Sequence, residues 1–122
     1  MRYLCLVHFD AAIIEAPGFD RPDLDRRSLA YDNELRAGGH YVASQALQGS
    51  DSAVLVRKRG EQMSATDGPY METKEQMGGF ILIEARDMNE AVRLAAGIPI
   101  AELGTIEVRP IYEIPTPPPA AG

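Results

Sequence analysis

Two short runs of the sequence, residues 3–7 and residues 80–83, are apolar at every position. A strand with one face in water alternates between apolar and polar side chains, whereas a strand that is covered on both faces is apolar throughout. The two runs therefore predict two central strands of one sheet, over residues 2–9 and residues 80–84.

A long helix is predicted between these two strands. It begins close to Pro22, whose ring favours a first helical turn, and it ends at Gly38. Leu24, Ser28 and Leu35 fall on one stripe at helical spacing, which is typical of a helix that packs one side against a sheet.

A second helix is predicted after the strand over residues 80–84. Asp87 and Glu90 have the spacing of a capping box at its start, and Gly97 and Pro99 mark its end.

The remaining elements carry weaker signals. We predict a strand over residues 41–47, a hairpin from residues 52–58 and 62–66, a helical turn in the polar segment 71–77, and a last strand over residues 105–112.

The order of these elements is the split β-α-β pattern of a ferredoxin-like α+β fold with an inserted hairpin. The first and third core strands are central in that fold, in agreement with the two apolar runs. Two helices would cover one face of the sheet, so the other apolar face needs a different cover. Because symmetric dimers are the commonest assembly, we expect a homodimer in which a second copy covers that face.

The charge of the chain argues against nucleic-acid binding. The net charge is −6 and the pI is about 4.8, whereas binding to phosphates depends on clustered Lys and Arg. The one basic run, residues 57–59, adjoins a glycine, and we interpret it as the solvated end of the hairpin.

The sequence also predicts a cytoplasmic location without membrane contact. No apolar run approaches the length of a transmembrane helix, and the run near the N-terminus is too short for a signal peptide. The chain has one cysteine, Cys5, which fits a reducing compartment and is interpreted as a buried core residue.

Residues 66–80 read Thr-Asp-Gly-Pro-Tyr-Met-Glu-Thr-Lys-Glu-Gln-Met-Gly-Gly-Phe and closely resemble the signature of the YCII-related family, in its DGPF-domain branch. Supporting matches lie at residues 1–4, 98–99 and 106–111. On this resemblance, residues 1–114 form one such domain, and residues 115–122 form a proline-rich flexible tail.

The resemblance implies a ferredoxin-like subunit that dimerises into an α+β barrel, with a cleft into which the signature loop projects. Most members of the branch have no established activity, while some relatives in the wider superfamily isomerise or dehydrochlorinate small cyclic compounds. Members are also often encoded beside extracytoplasmic-function sigma factors, which implies a regulatory setting. The sequence departs from the family pattern at Tyr70, where Phe is usual, and at His8, where an aromatic residue is common.

The signature segment contains three candidate site residues. Asp67 at the Gly-Pro turn is a candidate general base, or it caps the turn by accepting backbone hydrogen bonds. Lys74 is a candidate for binding an anionic substrate, and Glu75 is a candidate proton donor or acceptor; the alternative for both is a solvated surface pair.

Other candidates lie on the predicted strands. Arg109 suits bidentate binding of a substrate carboxylate, or it pairs internally with Glu107 or Asp67. His8 is a candidate proton shuttle, although a structural histidine is commoner. Tyr3 and Tyr70 are candidates for donating hydrogen bonds to a ligand, or they pack in the protein.

No metal site or cofactor is expected from these residues. The chain has two histidines and one cysteine, without the spacing of a metal centre. The resemblance and these candidate residues together imply a cofactor-independent enzyme that performs acid/base chemistry on a small anionic cyclic metabolite in the dimer cleft. The alternative is a non-catalytic small-molecule-binding or regulatory module that contacts a protein such as a sigma factor.

Overall fold

The computed structural model describes residues 1–120, which form six strands and three α-helices. The strands are β1 (Arg2–Phe9), β2 (Tyr41–Ala46), β3 (Val54–Arg59), β4 (Gln62–Asp67), β5 (Gln76–Glu84) and β6 (Thr105–Pro110). The helices are α1 (Ala11–Ile14), α2 (Arg21–Ala37) and α3 (Met88–Ala96), and two 3-10 helices lie at Ser50–Ser52 and Pro99–Glu102.

Four strands form one antiparallel sheet in the order β2-β5-β1-β6. The two central strands are β1 and β5, so the prediction from the two apolar runs is confirmed. Strands β3 and β4 pair with each other as a separate two-stranded sheet, which is the predicted hairpin. This is the ferredoxin-like α+β arrangement that the sequence predicts.

One face of the four-stranded sheet carries the core. Tyr3, Cys5 and Val7 alternate along β1 with half-buried residues, and they pack with buried residues of α2 and α3. The buried hydrophobic residues outside β1 are Leu24, Leu35, Ile81, Ile83, Ala85, Ala91, Ala95, Ile98 and Ile100. Both long helices therefore cover the same face, which we call the helix face.

The other face of the sheet, the open face, is apolar at its centre. Leu4 pairs with Leu82 and Leu6 pairs with Phe80 across β1 and β5. These four side chains are half-buried, although α2 and α3 pack on the opposite face. The apolar character of both runs is thus explained by a helix-covered face and an apolar face that the helices leave open.

Side-chain caps fix where the two long helices begin. Asp20 accepts a hydrogen bond from the backbone amide of Asp23 at the start of α2. Asp87 accepts one from the amide of Glu90 at the start of α3, and the Glu90 carboxylate accepts one from the amide of Arg86 at 2.8 Å. The predicted capping-box pair is confirmed, with Glu90 reaching one residue further back than in the usual motif.

The structure corrects three details of the secondary structure. The segment 71–77 contains no helical turn, because Gln76 donates to the carbonyl groups of Met71 and Thr73 and then opens β5. The last strand ends at Pro110, two residues before the predicted end. The short helix α1, with Asp10 as its N-cap, was not predicted because four residues carry no periodic pattern.

The C-terminal segment follows β6 without further helix or strand as far as residue 120. The predicted tail spans residues 115–122, and its last two residues lie outside the described part of the chain. Among residues 1–120, no helix is both long and apolar enough to cross a membrane.

Candidate functional site

A cleft of about 560 Å³ lies between α2 and the helix face of the sheet. Its apolar wall includes Val7, Phe9, Leu24, Ile81 and Ile100, which come from β1, α2, β5 and the 3-10 helix after α3. A mostly apolar cleft of this size with a few polar groups is the usual form of a small-molecule site.

Two glycines of the signature segment shape one end of this cleft. A Cβ on Gly78 would collide with the ring of Phe9, and a Cβ on Gly79 would lie 2.8 Å from the carbonyl oxygen of Gln45. Gly78 also marks an irregularity in the pairing of β1 with β5, because Val7 pairs with Gly79 and His8 pairs with Met77. The glycine pair therefore admits the Phe9 ring to the cleft and lets β2 approach β5 closely.

Helix α2 supplies the polar groups on one side of the cleft. Ser28 and Asp32 follow Leu24 at intervals of four residues, so the three share one side of the helix. The Ser28 hydroxyl donates to the Leu24 carbonyl oxygen at 2.8 Å and is satisfied within the helix. Arg21 and Asp25 form an ion pair at 3.1 Å at the exposed end of the cleft.

Tyr31 also lines the cleft but has a structural role. Its hydroxyl donates to the Leu94 carbonyl oxygen at 2.6 Å and so ties α2 to α3. Burial, together with the negative charge of Glu34, raises the pKa of Tyr31, which keeps the hydroxyl protonated as this donor.

Strand β2 contributes a hydroxyl chain to the same cleft. The Tyr41 and Ser44 hydroxyl oxygens lie 2.7 Å apart, and Ser44 donates to Oδ2 of Asp32 at 3.1 Å. The Arg36 guanidinium lies over the Tyr41 ring, 4.1 Å from its centre, and helps to hold that ring. Asp32, Ser44 and Tyr41 are all half-buried.

The sequence did not predict these three residues as a site. The position of Asp32 on the Leu24 and Ser28 stripe was available in the sequence, since the three are four residues apart. Tyr41 and Ser44 are three residues apart, and a regular strand would point them to opposite faces. An irregularity between Tyr41 and Ala43 in the pairing of β2 with β5 brings both to the helix face, and no sequence pattern signals it.

Two of the predicted catalytic residues, His8 and Glu75, are connected through β6 on the face of β1 opposite the cleft. His8 Nε2 is 3.0 Å from Oε1 of Glu107, which lies on the neighbouring strand β6. Glu75 accepts a hydrogen bond from Thr105 at 2.8 Å, and Thr105 pairs with His8 in the β1–β6 ladder. The structure thus brings His8, Glu75 and Glu107 to one end of the open face.

Arg109 lies further along the same face, opposite Leu4. Its expected internal partners do not pair with it: Glu107 pairs with His8, and within residues 1–120 no carboxylate lies within ion-pair distance of Arg109. Of the two alternatives for Arg109, the internal ion pair is therefore not formed, and Arg109 is exposed.

The remaining predicted residues lie apart from the cleft. Asp67 is the last residue of β4, while Tyr70 and Lys74 lie in the exposed segment before β5. No backbone amide of residues 1–120 donates to the Asp67 carboxylate, and the turn is closed instead by the Gly68 amide and the Ala53 carbonyl oxygen at 2.9 Å.

Tyr3 is corrected as a candidate ligand contact. It is 2% exposed in the core, and its hydroxyl faces the Met1 sulfur at 3.8 Å, so its ring is a packing residue. A continuous apolar run does not show which of its residues face the helices, and this explains the error.

The described residues contain no group of three or more His, Cys, Asp and Glu side chains arranged to hold a metal ion. Together, the ferredoxin-like sheet and the helix-side cleft define an α+β domain with a cleft the size of a small molecule.

Comparison with known proteins identifies the family. The model of the YCII-related domain matches residues 1–115, and the chain belongs to the YCII-related family. It is 29% identical over 114 residues to an uncharacterised protein of Rhizobium meliloti (strain 1021). The aligned region covers 91% of this chain and 92% of that protein.

A solved structure has the same fold. It is 5-chloro-2-hydroxyhydroquinone dehydrochlorinase (TftG) from Burkholderia phenoliruptrix AC1100 in complex with 2,5-dihydroxybenzoquinone. The TM-score is 0.56 at 17% sequence identity, over 92% of this chain and 94% of that one. At this identity the likeness concerns the fold alone.

Proposed function

We propose that the protein binds a small, hydroxylated cyclic compound in the helix-side cleft and catalyses proton transfer on it without a cofactor. The observation that carries this proposal is the cleft of about 560 Å³, with its apolar walls and its few polar groups on α2 and β2. A single ring with small substituents fits such a volume, and the polar groups would set its orientation.

The dehydrochlorinase with the same fold supports the choice of a cyclic compound. Its name describes a chlorinated hydroxyhydroquinone substrate, and its structure contains a dihydroxybenzoquinone. The transfer of this ligand class to a family member at 17% identity rests on analogy of fold, so it is a proposal that binding experiments must test.

The charges around the cleft favour a neutral ligand over the anionic metabolite expected from the sequence. Asp25, Asp32 and Arg21 line the cleft, and Arg21 pairs with Asp25. Asp32 therefore leaves a net negative charge, which would repel a carboxylate or phenolate. Arg109 and Lys74, the anion binders proposed from the sequence, lie away from this cleft.

We further propose that the working unit is a homodimer built on the open face. Leu4, Leu6, Phe80 and Leu82 form an apolar centre that the helices do not cover. A second copy related by a two-fold axis would bury the same residues of both chains. We also propose a cytoplasmic location, which a single cysteine, Cys5, that is buried and unpaired supports.

The dimer would also enclose a second group of residues, separate from those in the cleft, that is capable of proton transfer. The His8–Glu107 pair and the nearby Glu75 lie at one end of the open face. Histidine is the side chain that most often transfers protons in enzymes, and a carboxylate can orient its ring for this role. Asp67, Lys74 and Tyr70 would join this second group only if the exposed loop of one copy reached the other copy.

Ligand binding in the cleft is tested by thermal shift with resorcinol, catechol and small hydroxylated lactones. A ligand that binds only the folded chain raises the melting temperature by mass action. Ser28→Phe would place a ring in the cleft and abolish the shift, whereas Ala30→Phe adds the same ring to α2 outside the cleft and should preserve it. Equal shifts in both variants would contradict binding in the cleft.

Catalysis needs a separate test that does not require the product to be known. Proton NMR in D₂O reports exchange of ring C–H protons in bound lactones and cyclic ketones. Exchange that is faster with the protein than without it, and that Ser28→Phe suppresses, would support an enzyme. Binding without exchange would favour a non-catalytic binding module.

A specific surface supports the alternative of a protein-binding or regulatory module. The hairpin and the following loop expose five large apolar side chains, at Val54, Val56, Met63, Tyr70 and Met71. Exposed apolar side chains concentrated in one segment favour a contact with another protein. If no small molecule binds, a pull-down with wild-type protein and with Val56→Lys would test for a partner such as a sigma factor.

A further inference from the structure

The hydrogen bonds in the cleft define the direction of a chain of protons. Asp32 as a carboxylate only accepts, so the single Ser44 proton is used in the bond to Asp32 Oδ2. The bond between Tyr41 and Ser44 must then be donated by the tyrosine. The chain runs from Tyr41 to Ser44 to Asp32 and ends on one carboxylate oxygen.

The other carboxylate oxygen of Asp32 is the open end of this chain. Within residues 1–120, no hydrogen-bond donor reaches Oδ1, and Asp32 lines the cleft. A half-buried carboxylate that lines a cavity, with one oxygen held and the other without a donor, is able to accept a hydrogen bond from a ligand.

The backbone of β2 gives an independent reason to regard this arrangement as a site. Irregularities in strand pairing re-aim side chains and are common next to functional sites. The irregularity between Tyr41 and Ala43 is what brings Tyr41 and Ser44 to the same face. Without it, the hydroxyl of Tyr41 would lie on the opposite side of the sheet from Ser44.

We propose that Asp32 accepts a hydrogen bond from a hydroxyl group of the ligand in the cleft, and that Ser44 and Tyr41 are positioning residues that hold its carboxylate. The proposal rests on the proposed function, because it presumes a ligand in the cleft. It specifies the ligand as a neutral ring that carries at least one hydroxyl donor. A ring whose oxygens are all methylated, or a ring with a carboxylate at this point, would be rejected.

The test compares two probes of the same ring by calorimetric titration. Resorcinol carries two hydroxyl donors, and 1,3-dimethoxybenzene carries none. The wild-type protein is expected to bind resorcinol at least about tenfold more tightly, since a hydrogen bond to a charged group is worth about this factor. The preference ratio is the readout, because general damage to the cleft would weaken both probes equally.

Three variants should lower this preference in a graded way. Asp32→Asn should reduce it about five- to tenfold, because a neutral amide oxygen is a weaker acceptor than a carboxylate. Ser44→Ala should reduce it less, and Tyr41→Phe least, because each leaves Asp32 in place. Glu34→Gln removes the same charge from the exposed side of α2 and should leave the ratio unchanged.

Each outcome bears on the proposal. An unchanged ratio in Asp32→Asn, with melting temperature and circular dichroism like those of the wild type, would overturn the role of Asp32 while leaving binding in the cleft intact. A wild-type protein that binds both probes equally would overturn it as well. If neither probe binds the wild type and no other ring compound shifts its melting temperature, both this inference and the proposed function fail.

Discussion

The aromatic ring of Phe9 lies against the Cα atom of Gly78, so closely that no side chain fits between them. Phe9 belongs to β1 and Gly78 to β5, and both line the cleft. This contact links the signature segment to the shape of the site, because any residue larger than glycine at position 78 must displace the ring.

We therefore expect Gly78→Ala to destabilise the protein by about 1 to 3 kcal/mol, the usual cost of overpacking a well-packed site. Urea unfolding of the wild type, Gly78→Ala, Phe9→Leu and the double variant measures this cost. Because leucine lacks the far edge of the ring, the alanine should cost clearly less in the Phe9→Leu background. Equal costs in both backgrounds would show that the ring is not what excludes a side chain.

The Glu90 carboxylate should stabilise the start of α3 in a pH-dependent way. The hydrogen bond from the Arg86 amide, and secondly the charges of Arg86, His40 and Arg93, lower the pKa of Glu90 below its usual 4.5. A folded-state pKa that is depressed gives stability that is present above about pH 4.5 and is lost as the pH falls through the folded value.

Glu90→Gln should therefore be less stable than the wild type at neutral pH, and the difference should shrink below about pH 4.5. Urea midpoints between neutral and acidic pH measure it. Asp25→Asn, at an exposed carboxylate of α2, is the control for a general loss of acidic charge. A difference that stayed constant across the titration would contradict the assignment.

Ionisation of the Cys5 thiol should make the stability of the protein fall as the pH rises in the alkaline range. Cys5 is fully buried, and burial raises the pKa of its thiol from 9.0 to about 11. The unfolded chain then ionises first, so stability is complete below about pH 9 and falls as the pH rises towards 11. The loss from this group is on the order of 2 to 3 kcal/mol.

Cys5→Ala should show a shallower loss of stability over this alkaline range, although its stability at neutral pH is lower because a cavity forms. Tyrosine ionisation occurs in both proteins and cancels in the comparison. Parallel curves for wild type and variant would mean that the thiol is accessible to water.

A charge introduced on the open face should change the oligomeric state of the protein. Leu6→Glu would place a carboxylate at the apolar centre of this face, and we expect the proposed dimer to dissociate into folded monomers. Sedimentation velocity measures the assembly. Val92→Glu introduces the same side chain at an exposed position of α3 and should leave the dimer intact. A wild-type protein that sediments as a monomer at micromolar concentration would contradict the proposal at once.

Much of the fold follows from local patterns in the sequence. The apolar runs identify β1 and β5 as central strands because both of their faces are apolar. Pro22 predicts the first turn of α2, and the pair Asp87 and Glu90 predicts the start of α3. These are short-range effects that a single sequence records well.

The cleft could be predicted less well because it depends on side-chain direction. The residues Val7, His8 and Phe9 are neighbours in sequence, yet His8 lies on the open face while the other two line the cleft. The signature segment predicts site residues at Asp67 and Lys74, but both of these residues are exposed. The irregular pairing of β2 with β5, which brings Tyr41 to Ser44, leaves no local pattern in the sequence.

The hairpin of β3 and β4 stands outside the four-stranded sheet, which is complete without it. Mutations in the hairpin before the signature segment therefore meet little resistance from the core, and residues 54–65 can change their surface while the fold is inherited unchanged. Members of one lineage can in this way acquire different partners on a common scaffold. Divergence within the family should be concentrated in residues 54–65 of this hairpin, while the signature segment 66–80 and the residues around the cleft record what the descendants still share.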